Sequence, residues 1–267
     1  MIRLKYRYTK RGVPVLRNEE IEEHVERLLA DYKPELLTKP QPLDVDDFVE
    51  FYIKLNIHFE NLSHNGTVLG MMVYNDRQIP VYVPELNRAE HCPIDANTIV
   101  IDNSLLHPSS KVLYRSTVQH ECGRGIYHRK YYEENDSQIS LFNDEPTERI
   151  AVAVCRKSDV VGGFKRKFNT DREHMEHHAK YFSAASLMPR PAMRIACEEY
   201  KHRLSNGKFG DDYFKEEILV RYIAETFIVS PASARIRIEQ LKLGFDKQSN
   251  NKGELFYLDD IPALVTK

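Results

Sequence analysis

Apolar positions along this chain recur with two periods, and each change of period marks an element. Residues 2–8 alternate Ile2, Leu4, Tyr6 and Tyr8 with Arg3, Lys5 and Arg7, the period-two pattern of a strand with one buried face. The period then lengthens. Asn18 is a candidate N-cap, Glu19, Glu20, Glu22 and Glu23 suit the positive end of a helix, and Ile21, Val25, Leu28 and Leu29 form its stripe, so residues 19–32 are predicted helical. Pro34, Pro40 and Pro42 break the chain, after which Asp44 or Asp46 caps a second helix carrying Phe48, Val49, Phe51, Tyr52 and Leu55 and ending near Asn56.

From residue 57 to 101 the apolar runs are short and rich in Ile, Val and Tyr, punctuated by His64-Asn65-Gly66 and Asn75-Asp76-Arg77. They predict a small antiparallel sheet with strands at 57–60, 67–74, 79–83 and 98–102. Pro108-Ser109-Ser110 opens a helix over about 111–130; residues 133–149 are polar and predict a loop, and 150–155 predict another strand. The basic stretch 156–170 carries Gly162-Gly163, which without a G-K-S/T and a following helix predicts a flexible excursion rather than a phosphate loop. A helix over 171–187 follows, stopped by Pro189 and Pro191, with Met175, Ala179, Phe182 and Ser186 on one face and Glu176 and Ser183 beside it. Next comes a helix over 190–203. The last pair of helices has a helix-turn-helix shape: one ends near Phe227, then Ser230 caps, Pro231 opens, and Ala234, Ile238 and Leu241 line the second before Gly244.

Charge narrows the partners. Lysine and arginine number 38 against 40 acidic residues, for a net charge of −2, so no overall field favours nucleic acid or an acidic membrane. Arg3, Lys5, Arg7, Lys10 and Arg11 make residues 1–18 a basic arm, better read as a solvated strand face than as a nucleic-acid arm. Arg235, Arg237 and Lys242 invite DNA contact at the second of the last two helices, although tight helix packing is the commoner reason for such a pair. Cys92, Cys122, Cys155 and Cys197 are far apart with no C-x-x-C pair, as expected of reduced thiols in the cytoplasm. No apolar leader follows Met1 and no apolar run approaches the roughly 18 residues of a membrane span, so no membrane partner is expected.

Candidate chemistry concentrates in Val118-Gln119-His120-Glu121-Cys122-Gly123-Arg124. A His-Glu-x-x-His helix sets two imidazoles four residues apart on one face to bind Zn²⁺ and aims the Glu at the metal-bound water. Here the second imidazole position is Arg124. Together with Ile126-Tyr127-His128, and with Glu176-His177-His178-Ala179 leading through Phe182 to Leu187-Met188-Pro189, the stretch resembles the ImmA/IrrE family of zinc metallopeptidases over roughly residues 20–245. The resemblance implies an α+β, zincin-like domain over 19–205 with a helical C-terminal subdomain over 206–267. It also implies His120 as first zinc ligand, Glu121 as general base, Glu176 as a further ligand, and a repressor or regulatory protein as substrate. Lys180 and Ser186 depart from the family's Asn and Leu without removing a ligand.

Arg124 removes one. A guanidinium has five donors, no lone pair to offer and a permanent charge, so it cannot ligate zinc. Three arrangements could follow. His128, eight residues after His120, could substitute, at the cost of lying two turns away. His174 and His178, four apart, could supply a ligand or form a separate site with Glu173 or His177. Or Arg124 could stand in the metal's place as a charge, its fork in a bidentate pair with Glu176 or Glu121. Cys122 is better read as a small buried side chain than as a nucleophile. Three functions are therefore expected to compete: a zinc peptidase acting on a regulator, a non-catalytic binding protein on the same fold, and a DNA-associated regulator.

Overall fold

The first predicted helix forms as α1, Asn18–Tyr32, but its cap is one residue earlier. Arg17 holds the N-cap position, its backbone N–H donating to Glu20 Oε2 at 2.8 Å, because the Asn18 amide is used elsewhere, 2.7 Å from Nε2 of His177. The computed structural model from which these contacts are taken describes residues 5–132, 152–156, 168, 170–205 and 212–245. The polar stretch 133–149, Gly162-Gly163 and the tail from 257 onward lie outside the described residues. A short hairpin, β1 (Arg7–Tyr8) and β2 (Pro14–Val15), precedes α1, and a single turn, α2 (Glu35–Thr38), follows it.

The second predicted helix starts where expected and then changes winding. Asp44 accepts the Asp47 N–H at 3.1 Å to open α3, Val45–Asp47, but Phe48–Ile53 is a π-helix closed by Lys54 at φ 67. The smaller rotation per residue keeps Phe48, Val49 and Ile53 inward and turns Phe51 outward, where it is 68% exposed instead of joining the stripe.

The strands are β3 (Asn56–Glu60), β4 (Val68–Val73), β5 (Arg77–Val83), β6 (Arg88–Ile94), β7 (Thr98–Asp102) and β8 (Val152–Arg156). They do not make one antiparallel sheet. The four-stranded sheet has the order β3-β7-β4-β8, with β7 parallel to β3 and antiparallel to β4. The expectation of one small antiparallel sheet fails because β5 and β6 form a separate antiparallel pair and β7 lies between β3 and β4, parallel to β3. Strand β6 had no period-two signal, and its pairing with β5 supplies the order its sequence lacks.

The two faces of the sheet are covered differently. On one, Met71, Val73 and Val100 pack against Ile79, Val81 and Ile94 of the hairpin in a small core of their own. On the other lie α4 (Lys111–Tyr127) and α5 (Asp171–Leu187), which share the main core with α1. Two glycines set how close these layers come. A Cβ on Gly70 would lie 2.7 Å from the Thr117 methyl and 3.3 Å from Cγ of Glu121, so only glycine lets α4 press onto β4 there; a Cβ on Gly123 would meet Phe182 at 3.0 Å, where α4 crosses α5. The predicted helix over 111–130 is interrupted at His128, which caps α4 with φ −106 and ψ 0.

Helices α6 (Arg190–Ser205), α7 (Asp212–Phe227) and α8 (Pro231–Leu241) follow, and Leu219, Val220, Ile223, Phe227, Ala234 and Ile238 belong to the same main core. A buried cation on α4 joins these parts: Arg115 donates to the carbonyls of Leu43 at 2.8 Å, Ile228 at 3.2 Å and Phe227 at 3.3 Å, satisfying oxygens at the end of α7. No described helix is long and apolar enough to cross a membrane.

Candidate functional site

Helix periodicity places His120, Glu121 and Arg124 on neighbouring faces of α4, and packing decides what they meet. Ser183 Oγ donates to the Ser116 carbonyl at 3.2 Å and Ser186 Oγ to Oε1 of Gln119 at 2.9 Å, fixing α5 against α4. Ser186 thus has a partner of its own in Gln119. Tyr74, fully buried at the end of β4, donates to the Arg124 carbonyl at 3.1 Å.

Held in this way, four side chains form one network of polar contacts, in which Glu121 Oε2 makes no hydrogen bond among the described residues. His120 Nε2 lies 2.9 Å from Glu176 Oε1 and its Nδ1 lies 3.1 Å from Glu121 Oε1. Arg124 Nη2 donates to Glu176 Oε2 at 2.6 Å, and its Nε lies 3.5 Å from Glu121 Oε1. The expected fork-to-fork pair is absent: Arg124 divides its contacts between the two carboxylates, because Glu176 spends its other oxygen on His120. Glu121 is fully buried, His120 and Arg124 nearly so, and Glu176, at 21% side-chain exposure, is the member facing solvent.

The protonation states follow from the contacts. Burial opposes a charge on His120, yet Cys155, Glu176 and Glu121 around it raise its pKa well above the ordinary imidazole value. Burial pushes the Cys155 thiol itself up, so Glu176 is the durable anion beside His120. Burial likewise acts to raise Glu176, but His120, Arg124 and Lys180 hold it down at about 2. Glu176 is therefore held as a carboxylate beside the Arg124 guanidinium, and the contacts of His120 favour its protonated form.

Cys155 is the neighbour that sequence reasoning missed. It pairs in register with Gly70 across β4 and β8, and since Gly70 faces α4, Cys155 faces α4 too. His120, Glu121 and Cys155 each offer an atom within 4.8 Å of one another, a set chemically able to hold a metal. The whole network fits zinc poorly: an ion about 2 Å from either carboxylate would sit against a guanidinium already bound to both.

The proposed substitute histidines gather elsewhere. His128 is fully buried with neither ring nitrogen hydrogen-bonded, and its ring centroid lies 5.9 Å from that of His178. His174 is exposed, 5.2 Å from the Phe168 ring and 6.5 Å from His178. Burial and the neighbouring histidines lower the pKa of His178 to about 3, and burial carries His128 well below its ordinary value. Cys122 is fully buried and its thiol is pushed up by burial alone, as fits a packing residue.

Two of the three cations that suggested DNA contact are engaged within the protein. Arg237 is 1% exposed, donating to Glu22 at 2.5 and 2.9 Å and to the Met188 carbonyl at 3.1 Å. Arg235 pairs with Glu217 at 2.5 Å. The arrangement of this site is that of a mixed α+β protein with a four-residue polar network clamped between two helices. Neither a protein-family model nor a curated protein sequence matches the chain.

Proposed function

We propose that this chain is a non-catalytic, zincin-like relative of the ImmA/IrrE peptidases that binds a regulatory protein rather than cleaving it. The observation that carries this reading is the 2.6 Å contact of Arg124 with Glu176. In a zinc site of this pattern, a dication, a neutral imidazole and two carboxylates sum to zero. Here the guanidinium of Arg124 and the proton that its neighbours favour on His120 set positive charge beside Glu176 without an ion. A network built in this way stabilises the two-helix cradle and withholds the Lewis acid that peptide hydrolysis needs. Glu176, the network's exposed edge, is where a bound segment would meet it.

Metal analysis of the Arg124→His variant tests this, with both proteins carrying Cys92→Ser so that the half-buried thiol of the β5–β6 hairpin does not contribute. Stoichiometric zinc in the variant alone is the expected result. Equal zinc in both would overturn the reading and point to His120, Glu121 and Cys155 as working ligands despite the arginine.

A further inference from the structure

The side of the sheet away from the polar quartet holds a second cluster of metal-binding types. His58 and Glu60 stand two residues apart on β3, so both project from the same face, the one that carries Val100 of neighbouring β7 toward the hairpin. Cys92 is the cross-strand partner of Ile79, whose side chain is buried in the core between hairpin and sheet, so Cys92 projects inward toward β3. The two layers are pinned beside this point by the Tyr82 N–H donating to the Asn61 carbonyl at 2.7 Å. Three donors from two separate sheets thus converge: His58 Nε2 lies 3.1 Å from Glu60 Oε1, Cys92 Sγ lies 3.5 Å from the same oxygen, and all three ligand atoms fall within 4.8 Å of one another.

We propose that His58, Glu60 and Cys92 bind one thiophilic divalent cation, with Zn²⁺ the best match. Bond lengths of about 2.0–2.3 Å to N, O and S at tetrahedral angles set ligand atoms about 3.4 Å apart for N and O and about 3.6 Å apart for O and S. The observed 3.1 and 3.5 Å need only a slight opening to reach those spacings. Imidazole, carboxylate and thiolate on one ion select zinc over the hard cations magnesium and calcium. The site can be entered, since the His58 and Glu60 side chains are 46% and 27% exposed, and three protein ligands leave a fourth position to water. On binding, the Cys92 S–H bond breaks, its proton passes to solvent and the sulfur lone pair ligates the ion, while His58 Nε2 exchanges its contact with Glu60 for the metal. The bound ion links the β5–β6 hairpin to the edge strand of the main sheet and so stiffens the layer that backs α4.

Cobalt(II) titration of the full chain tests this site. One equivalent should bind with a near-ultraviolet thiolate-to-cobalt charge-transfer band that persists in Cys155→Ser and disappears in Cys92→Ser. His58→Ala should weaken binding ~10-fold or more. Zinc should raise the melting temperature of the parent protein and not that of Cys92→Ser. Absence of the band from the parent, or its survival in Cys92→Ser, overturns the assignment. A band that vanishes only in Cys155→Ser would also refute it and would count against a metal-free quartet as well.

Discussion

Replacing Arg124 by methionine removes the quartet's permanent cation while keeping an unbranched stem of similar reach. Burial acts to raise Glu176, and its fall from 4.5 to about 2 is what His120, Arg124 and Lys180 together achieve beyond that opposition, equivalent to about 3 kcal/mol. Deleting one partner of a buried ion pair costs about 3–5 kcal/mol, and the 21% exposure of Glu176 puts this case at the lower end. Arg124→Met should therefore lose about 2–4 kcal/mol in urea unfolding at neutral pH. The pH dependence has a definite sign. A carboxyl held below its unfolded value contributes stability above pH 4.5, lost as pH falls from 4.5 toward about 2. The variant holds Glu176 less firmly, so its stability curve should converge on that of the parent across that window. Glu176→Gln in the Arg124→Met background should cost less than in the parent, with a coupling of ~1 kcal/mol or more. A loss below about 1 kcal/mol together with additive single variants would refute the ionic account of the site.

Two other outcomes follow from packing and burial. Gly70→Ala drives a methyl onto the Thr117 side chain, 2.7 Å from an added Cβ, and should cost about 1–3 kcal/mol. Thr117→Ser, which removes the opposing methyl, should recover part of that loss in thermal unfolding, and no recovery would mean that the close approach of α4 to β4 is not the cause. Burial and neighbouring histidines depress His128, as they do His178, so the folded protein refuses protons that the unfolded chain accepts. Stability should thus be fully present above pH 6.5 and drain away as pH falls toward the folded values, by at most about 1.4 kcal/mol per pH unit for each group. His128→Leu should flatten the decline of melting temperature between about pH 6.5 and 5; parallel slopes in parent and variant would argue that His128 is not buried and neutral.

The local elements were legible because their signals are local. The α1 stripe of Ile21, Val25, Leu28 and Leu29 is buried as its spacing predicts, and Ser230 with Pro231 opens α8 as written, Ser230 accepting the Ser233 N–H at 3.1 Å. The π winding after Asp47 was not legible, because the same apolar residues satisfy either helix and the surrounding core selects the one that buries Ile53. Strand order was equally hidden: runs at 57–60, 67–74 and 98–102 predict strands, but nothing in them says that β7 lies between β3 and β4. Cys155 shows the consequence. Both β4 and β8 could be expected from sequence, yet only their register, Gly70 opposite Cys155, turns the thiol toward His120.

Sequence alone determined that His120, Glu121 and Arg124 share one stretch of helix and that a guanidinium stands one turn after His120, since residue identity and a fixed helical rise leave no freedom there. It also determined that any basic character must be local. Tertiary structure decided the rest of the site. Only the crossing of α4 and α5 brings Glu176 between His120 and Arg124, and it is those two cationic neighbours, acting against burial, that hold its carboxylate at about 2, as the acidic neighbours of His120 raise the pKa of its imidazole against burial. It likewise withdrew Arg237 from solvent to meet Glu22, 215 residues away. The physical reason is common to all of these: charge state and partnership depend on distance and dielectric, which are properties of the packed molecule rather than of spacing along the chain.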